Sequence, residues 1–256
     1  MIKAIFFDID GTLVSHTLSD IPDGVLNVFK ELQKKGILLF IATGRHISEF
    51  NDLPLHDYPF DGYVTLTGQI CYDKDFQVIY ENPLSKEDTS KLVEAFNKKE
   101  IPIVLINNRE LYINYVDDIV IQTQKSIHTP VPDIQTYQNE HLFGATVFSN
   151  SKEIEKLVNL LPGCKESRWN AYASDIVPAE SGKVNGIEQM LEYFEIQRNE
   201  IMAFGDADND IDMINFAHIG VGMGNASDSL KAEADYITAS VDEDGIIKAL
   251  QHYHII

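Results

Sequence analysis

The fold follows from one stretch near the start of the chain, Lys3-Ala4-Ile5-Phe6-Phe7-Asp8-Ile9-Asp10-Gly11-Thr12-Leu13. Residues 4–7 form an apolar run without a polar break, which is typical of a strand buried on both faces of a sheet. Two aspartates separated by one isoleucine follow directly, and Gly11 and Thr12 then turn the chain. Because ligands of an open α/β sheet bind at the carboxyl ends of its strands, this position is a candidate site.

Asp8 and Asp10 are two residues apart, so their side chains lie on the same side if the chain stays extended. Two carboxylates about 4 Å apart repel each other by roughly 4 kcal/mol at an effective dielectric constant of about 20. A divalent cation would offset that repulsion most simply. A strand followed by an acidic turn without any ligand would give the same short pattern, so the assignment depends on residues elsewhere in the chain.

Length and composition are those of an ordinary globular protein. The 256 residues are enough for one large domain or two modest ones, and 44% of them are hydrophobic. A net charge of −20 makes nucleic acid and anionic membranes poor partners. The two cysteines, Cys71 and Cys164, indicate no disulfide framework. No segment has the apolar length of a signal peptide or membrane span, so we expect a cytoplasmic protein.

Hydrophobic periodicity predicts a parallel sheet that an insertion interrupts. Strands and helices alternate up to about residue 82 and again from about residue 179. Between these parts, strands joined by short turns predict an antiparallel sheet with helices on one face. We therefore predict a doubly wound parallel-sheet α/β core from residues 1–82 and 179–256, with an inserted α+β unit over residues 83–178.

Three of the predicted core strands end in a functional side chain, namely Asp8, Thr43 and Asp206, and Lys183 begins a helix. Parallel strands place such ends at one edge of the sheet. The combination suits phosphoryl transfer, in which a metal held by Asp8 and Asp206 polarises the phosphoryl group. Thr43 and nearby backbone amides would bind its oxygens, and Lys183 would neutralise its charge.

The two aspartates of the opening stretch then have distinct chemical roles. Asp8 would be a carboxylate nucleophile that forms an aspartyl-phosphate. Asp10 would protonate the leaving oxygen and afterwards activate water.

Four motifs resemble those of the haloacid dehalogenase superfamily, and more narrowly its Cof-type, class IIB sugar-phosphate phosphatases. They are Asp8-Ile9-Asp10-Gly11-Thr12-Leu13, Thr43-Gly44-Arg45, Lys183 and Gly205-Asp206-x-x-Asn209-Asp210. The insertion matches the class IIB cap of that family in position and element order. The resemblance implies a Rossmann-like core, a mobile cap and a Mg²⁺-dependent phosphatase acting on a small phosphorylated metabolite.

The resemblance also implies roles for individual residues. Asp8 would be nucleophile and metal ligand, Asp10 acid/base and ligand through its carbonyl, and Asp206 a further ligand, with Asp210 supporting the site from behind. The residues expected to meet the phosphate or the substrate are Thr43, Gly44, Arg45, Lys183 and Asn209. The surroundings of Lys183, Glu180-Ser181-Gly182-Lys183-Val184-Asn185-Gly186, depart from the common Gly-Val-x-Lys-Gly pattern, which leaves the positioning of this lysine open.

Two other functions fit the same residues. A phosphomutase uses the same scaffold, and a non-enzymatic phospho-acceptor domain also uses an aspartate and magnesium on a doubly wound fold. Asp10 and the insertion argue against the phospho-acceptor. The family spans sugar phosphates, flavin mononucleotide and pyridoxal phosphate, so the sequence names neither the substrate nor the oligomeric state. Within the insertion, Arg168 and Trp169 are the residues that we expect to influence the choice of substrate.

Overall fold

The apolar run at the start of the chain forms strand β1 (Ala4–Phe7), whose residues are all fully buried. Phe6 and Phe7 point to opposite faces of the sheet, as successive strand residues do. Phe6 stacks on Phe40 with ring centroids 4.9 Å apart, and Phe7 contacts Phe29 of the first helix at the same separation. The strand is therefore covered on both faces, as expected from its unbroken hydrophobic run.

A computed structural model describes residues 1–15, 17, 20–55, 58, 60–127 and 129–256. The chain divides into two compact units. Unit 1 comprises Met1–Glu81 and Gly182–Ile256, and unit 2 comprises Asn82–Ser181. Each unit contains a sheet of its own.

Strands and helices follow one another along the chain in three groups. The first part of unit 1 contains β1, α1 (Val25–Lys34), β2 (Leu38–Ala42), β3 (Gly62–Thr65), β4 (Ile70–Asp73) and β5 (Val78–Glu81). Unit 2 contains α2 (Lys86–Lys98), β6 (Ile103–Ile106), β7 (Leu111–Ile113), α3 (Asp118–Ser126), β8 (Asp133–Ile134), β9 (Gly144–Phe148), α4 (Ser151–Val158), β10 (Cys164–Asn170) and β11 (Ala173–Pro178). The second part of unit 1 contains α5 (Lys183–Tyr193), β12 (Ile201–Gly205), α6 (Ile211–Phe216), β13 (Ile219–Gly222), α7 (Asp228–Glu233), β14 (Tyr236–Ile237) and α8 (Gly245–His252).

The sheet of unit 1 has the order β14-β13-β12-β1-β2-β3-β4-β5. Pairing is parallel from β14 through β3 and antiparallel in the β3-β4-β5 meander. The chain runs outward from β1 through β2 to β3, but returns on the other side of β1 through β12 to β14. This reversal is a topological switch point, where open α/β sheets bind ligands. The predicted doubly wound fold class is confirmed.

The sheet of unit 2 has the order β10-β11-β9-β6-β7-β8 and is mostly antiparallel. Side chains of α2 and α4 pack against one face together with Ile103 and Leu105. Val120 of α3 packs with Val104, which lies on the opposite face. The expectation of helices on one face only is therefore wrong, because alternate residues of β6 are apolar on both sides.

The shortest strand of unit 2 does not follow from the sequence pattern. Strand β8 comes directly after Pro132 and pairs with β7 in parallel. A parallel pair needs a crossover connection, and α3 supplies it between β7 and β8. Within the residues that the structure describes, no helix has both the length and the hydropathy needed to cross a lipid bilayer.

Candidate active site

The carboxyl ends of β1 and β12 lie side by side at the switch point of the unit 1 sheet. Phe7 is opposite Phe204 in the parallel register, and the amide of Asp8 donates to the carbonyl of Phe204 at 3.0 Å. Asp8 follows β1 and Asp206 follows β12. Pairing of β1 with β12 therefore places the backbone of Asp8 beside that of Asp206, although almost 200 residues separate the two in the sequence.

Lys183, the first residue of α5, is fully buried among acceptors. Its Nζ lies 2.6 Å from Asp8 Oδ1, 2.5 Å from Asp210 Oδ1 and 2.6 Å from the carbonyl oxygen of Ala42. An ammonium group has three N–H donors, so these acceptors satisfy all of them. Burial alone would lower the pKa of Lys183, but the Asp8 and Asp210 carboxylates more than offset it and raise the pKa above its ordinary value. The side chain is a fixed positive charge.

The surroundings of Asp8 raise the pKa of its carboxyl group. Burial raises the pKa of Asp8 to about 7; Lys183 opposes that rise and the nearby Asp210 charge adds to it. The upward shift of this pKa shows that the ammonium of Lys183 does not fully compensate the burial of the Asp8 carboxylate. Additional positive charge at the site would favour the ionised, nucleophilic form of Asp8.

Asp210 is held by hydrogen bonds on both of its oxygens. Its Oδ1 accepts from Lys183, and its Oδ2 accepts from the backbone amides of Asp206 at 3.0 Å and Ala207 at 3.1 Å. Gly205 permits this arrangement, since a Cβ atom there would lie 2.5 Å from the Cβ of Asp210. Asp210 thus contacts both the lysine and the loop that carries Asp206, and its supporting role in the site remains a prediction.

Three carboxylates form a buried cluster with the donor chemistry of a divalent metal site. One oxygen each of Asp8, Asp206 and Asp210 lies within 4.8 Å of the others. Carboxylate oxygens are ligands that Mg²⁺ prefers, and three carboxylates against the single ammonium of Lys183 favour a divalent cation. Asp210 binds the Lys183 ammonium at one oxygen and two backbone amides at the other, whereas Thr12 and Asn225 are single neutral donors to Asp206 at 3.3 Å each. The residues best suited to hold the ion are therefore Asp8 and Asp206.

The carboxylate of Asp10 is directed toward Arg45. Arg45 Nε lies 2.7 Å from Asp10 Oδ2, and Nη2 lies 2.8 Å from Oδ1, a bidentate ion pair. The strand ends at Phe7 and the chain bends at Ile9, so the extended geometry on which the expected convergence of Asp8 and Asp10 depended does not continue to Asp10. Ligation through the Asp10 carbonyl and contact of Arg45 with the substrate remain predictions.

Residues after β2 and β12 meet at the same edge. Thr43 is buried, and its Oγ1 accepts from the amide of Arg45 at 3.1 Å. Gly44 is exposed, and a Cβ atom on it would lie 3.5 Å from Thr67 Oγ1 and 4.0 Å from Asn209 Nδ2. Thr43, Gly44 and Asn209, predicted as phosphate-binding residues, therefore lie in one neighbourhood, which also includes Thr67.

Close backbone packing positions the start of α5. The altered motif around Lys183 had left the positioning of this lysine open. A Cβ atom on Gly68 would lie 2.1 Å from the carbonyl oxygen of Gly182, and one on Gly186 would lie 3.0 Å from Gly68 Cα. Gly68 has φ +88°, and Leu66 and Thr67 before it also have positive φ. Non-glycine residues adopt this conformation at a cost, so the turn after β3 is a strained segment that packs against the helix carrying Lys183.

Two neutral donors to Asp206 were not given a role from the sequence. Thr12 Oγ1 donates to Asp206 Oδ1 and Asn225 Nδ2 donates to Asp206 Oδ2, each at 3.3 Å. Thr12 belongs to the opening motif, whereas Asn225 follows β13, another strand whose carboxyl end lies at this edge. A polar residue just after a buried parallel strand was the signal that could have identified Asn225.

Comparison with known proteins agrees with this geometry. The sequence profile of the haloacid dehalogenase-like hydrolases matches residues 5–250. A putative phosphatase of Bacillus subtilis, YkrA, is 32% identical over 99% of this chain and 98% of its own length.

Solved structures of similar proteins cover both units. The phosphatase BT1666 from Bacteroides thetaiotaomicron is 30% identical and superposes with a TM-score of 0.88, over 100% of this chain and 96% of that one. The subclass IIB sugar phosphatase BT4131 is 34% identical with a TM-score of 0.79, over 99% and 100% of the two chains.

Proposed function

The chain belongs to the haloacid dehalogenase-like hydrolases and is a phosphatase of the Cof type, and on that premise we propose that it hydrolyses small phosphorylated metabolites, sugar phosphates first among them. The reaction uses Mg²⁺ and passes through an aspartyl-phosphate on Asp8. Unit 2 is the class IIB cap of this enzyme and selects the leaving group.

The observation that carries the proposal is the buried ionic cluster at the switch point. Asp8 shares Lys183 with Asp210 and lies within 4.8 Å, oxygen to oxygen, of Asp206. A merely structural ion pair would need one carboxylate for one lysine, and a third buried carboxylate would only add repulsion. The excess of acidic groups has a function if a divalent cation and a phosphoryl group bind there.

The proposed chemistry has two steps. An oxygen of Asp8 attacks phosphorus and the ester P–O bond breaks, while Asp10 gives its proton to the leaving oxygen. Water then attacks the phosphorus of the acyl phosphate and returns a proton to Asp10, which releases inorganic phosphate and regenerates the Asp8 carboxylate. Lys183 keeps Asp8 oriented throughout, because its ammonium is fixed between Asp8 and Asp210.

The bound metal would supply charge neutralisation for the phosphoryl oxygens. Asp8 and Asp206 would hold it, and the Asp10 carbonyl is the further ligand that the family resemblance suggests. Thr43, Gly44 and Asn209 would bind the phosphoryl group, and Lys183, held between Asp8 and Asp210, would offset part of its negative charge without leaving that position.

The Arg45–Asp10 pair has a place in this scheme. A carboxylate bound at both oxygens by a guanidinium is an ionised acceptor and cannot donate a proton. We expect the pair to open when substrate binds, with Arg45 then available to the substrate.

Three observations support the proposed substrate class and the proposed cellular location. The similar protein BT4131 is described as a sugar phosphatase. Unit 2 presents Trp169, which is 39% exposed, beside the carboxylate of Asp175. An aromatic surface next to a hydrogen-bonding group suits a polyhydroxylated leaving group. Cys71 and Cys164 are free thiols, in keeping with a reducing, cytoplasmic location.

A metabolite panel tests the proposal. The protein is incubated with hexose phosphates, pentose phosphates, flavin mononucleotide and pyridoxal phosphate, with Mg²⁺ and separately with a chelator. Released phosphate is measured, isomerised sugar phosphate is followed by NMR, and acid-quenched protein is analysed for a phosphoryl group on Asp8. We expect Mg²⁺-dependent phosphate release, fastest with sugar phosphates.

Each contrary outcome has a distinct meaning. Isomerisation without phosphate release would identify a phosphomutase. Stable phosphorylation without turnover would identify a phospho-acceptor. Full activity after exhaustive chelation would contradict the role of the metal.

A further inference from the structure

Asn225 connects four segments of unit 1 through one side chain. Its Nδ2 donates to the carbonyl oxygen of Gly11 at 2.8 Å and to Asp206 Oδ2 at 3.3 Å. Its Oδ1 accepts from the amide of Val241 at 2.9 Å. The side chain therefore links its own loop after β13 to the turn after β1, the loop after β12 and the segment before α8.

The bond from Val241 fixes which end of the amide faces Asp206. A backbone N–H can only donate, so the atom that accepts from it must be the carbonyl oxygen of Asn225. The NH₂ group then has to point toward Gly11 and Asp206, both of which offer acceptors. All three bonds agree on one orientation of the amide.

The backbone around Asn225 is tied to Asp206 independently of the side chain. The amide of Ser227 donates to the carbonyl of Asp206 at 2.8 Å, and the amide of Met223 donates to the carbonyl of Gly205 at 3.0 Å. Between them, Gly224 packs so closely that a Cβ atom would lie 2.6 Å from the nitrogen of Ser240. The loop cannot shift without breaking these contacts, so Asn225 is held at a set position.

The other oxygen of Asp206 has a comparable partner in Thr12, a fully buried residue whose hydroxyl lies 3.3 Å from Oδ1. Thr12 and Asn225 are thus neutral donors to the two oxygens of Asp206. Neutral donors orient a carboxylate without cancelling its charge, whereas the ammonium of Lys183 both orients and neutralises Asp8. Hydrogen bonds of this kind hold metal-binding carboxylates in position and increase metal affinity.

We propose that Asn225, together with Thr12, is a positioning residue of the metal centre: the pair sets the orientation of Asp206 for a divalent cation, and Asn225 couples that orientation to the turn that follows the nucleophile. The inference rests on the proposed function, because it needs Asp206 to be a metal ligand. Neither residue is required to touch the substrate.

Direct metal binding tests this inference. The full-length protein is freed of metal, and binding of Mn²⁺ alone is measured by electron paramagnetic resonance, since Mn²⁺ accepts the same oxygen ligands as Mg²⁺. The variants are Asn225→Ala, Asn225→Leu (close to asparagine in shape) and Thr12→Val. Asn215→Ala is the matched control, because the Asn215 amide donates to Glu233 on the surface of the same unit.

We expect each Asn225 variant to raise the Kd of Mn²⁺ by about 10-fold or more, with Thr12→Val in the same direction and Asn215→Ala unchanged. Excess Mn²⁺ should restore most of the turnover, and the KM for a phosphate ester at saturating metal should stay as in the parent. A merely structural role would instead lower thermal stability without a selective change in metal affinity. Wild-type Mn²⁺ affinity in whichever Asn225 variant folds would overturn the inference.

If the proposed metal centre itself is wrong, the Mn²⁺-binding measurements will give a different result. Asp206→Asn should abolish the Mn²⁺ site. If the parent protein shows no saturable site, or if Asp206→Asn binds as the parent does, the proposed metal centre is wrong and the inference falls with it. If Asp206→Asn loses binding while the Asn225 variants keep it, only the positioning role is wrong.

Discussion

Two ion pairs, one in each unit, show how differently the two regions use charge. Lys183 and Asp210 of unit 1 have no exposed side-chain surface, and Asp8 has 8%. Arg168 and Glu166 of unit 2 are 34% and 26% exposed. Breaking a buried pair leaves an uncompensated charge and costs about 3–5 kcal/mol, whereas an exposed pair contributes roughly 0–1 kcal/mol. The unit 1 cluster is therefore intolerant of change, and the unit 2 sheet can vary.

Under the proposed function, this difference corresponds to separate demands on the two units. Phosphoryl transfer involves the same group in every substrate, so its residues can be fixed and buried. Recognition of different leaving groups needs a surface that can change without loss of the fold. The four predictions below test this contrast, beginning with the largest expected effect.

Asp8→Asn should reduce kcat by about 10³-fold or more for every phosphate ester, because an amide cannot form the acyl phosphate. Steady-state phosphate release measures the effect. Asp75→Asn is the matched control, since Asp75 is an exposed aspartate of the same unit. Near-normal turnover by pure Asp8→Asn protein would remove Asp8 as the nucleophile.

Lys183→Met should destabilise unit 1 by about 3–5 kcal/mol, because it leaves Asp8 and Asp210 buried without their cation. It should also depress turnover of all substrates by a similar factor, since each carries the same phosphoryl group. Urea unfolding and a kinetic matrix measure the two effects, with exposed Lys248→Met as control. A loss confined to some substrates would contradict the division between the units.

Arg168 and Trp169 are adjacent in β10 but lie on opposite faces of the unit 2 sheet. Arg168 pairs with Glu166, and the Glu166 carboxylate also accepts a hydrogen bond from Ser174. Ile176 lies two residues after Ser174 on the same face of the sheet, and it packs with α2 and α4. Trp169 instead hydrogen-bonds Asp175, which Thr146 Oγ1 also binds at 2.7 Å. We therefore expect the two residues to differ in their effect on substrate choice.

Trp169→Ala should change the ratio of kcat/KM between two phosphate esters by about 10-fold, the order expected for one specificity contact. Arg168→Ala should leave that ratio unchanged, and the Mg²⁺ dependence should be unchanged in both. Competition between two substrates measures the ratio directly. Equal effects of the two variants would show that the face carrying Trp169 does not select the substrate.

The two cysteines give the smallest effect, a difference in thiol reactivity between the units. Burial raises the pKa of Cys71 in unit 1 to about 12, and burial followed by the charge of Asp88 raises the pKa of Cys164 in unit 2 to about 11. A raised pKa lowers the thiolate fraction, so at about pH 8 both thiols should react slowly with a disulfide reagent, and buried Cys71 more slowly.

Single Cys71→Ser and Cys164→Ser variants assign the two rates, and unfolded protein gives the reference rate. Faster reaction of Cys71 would mean that unit 1 opens more readily than unit 2, contrary to the contrast drawn from the ion pairs.

Local patterns predicted most of the fold. The apolar run of β1 is buried on both faces because it has no polar residue to expose, and the alternation of strands and helices required a parallel sheet. The motif residues were also identifiable: Asp8, Asp206, Asp210 and Lys183 do converge. The side-chain direction of Asp10 and the strand β8 did not follow, because the first depends on Arg45 and the second on a crossover through α3.

The sequence by itself determined which residues could carry the chemistry and at which ends of which strands they stand, since hydrophobic period and chain breaks are local properties. Only the tertiary structure decided which partners they have. Parallel pairing of β1 with β12 and of β12 with β13 brings Asp8, Asp206 and Asn225 together. Contact between Gly68 and Gly182 sets the start of the helix that carries Lys183. These contacts join residues far apart in the chain, and strand order and close packing, rather than local periodicity, determine them.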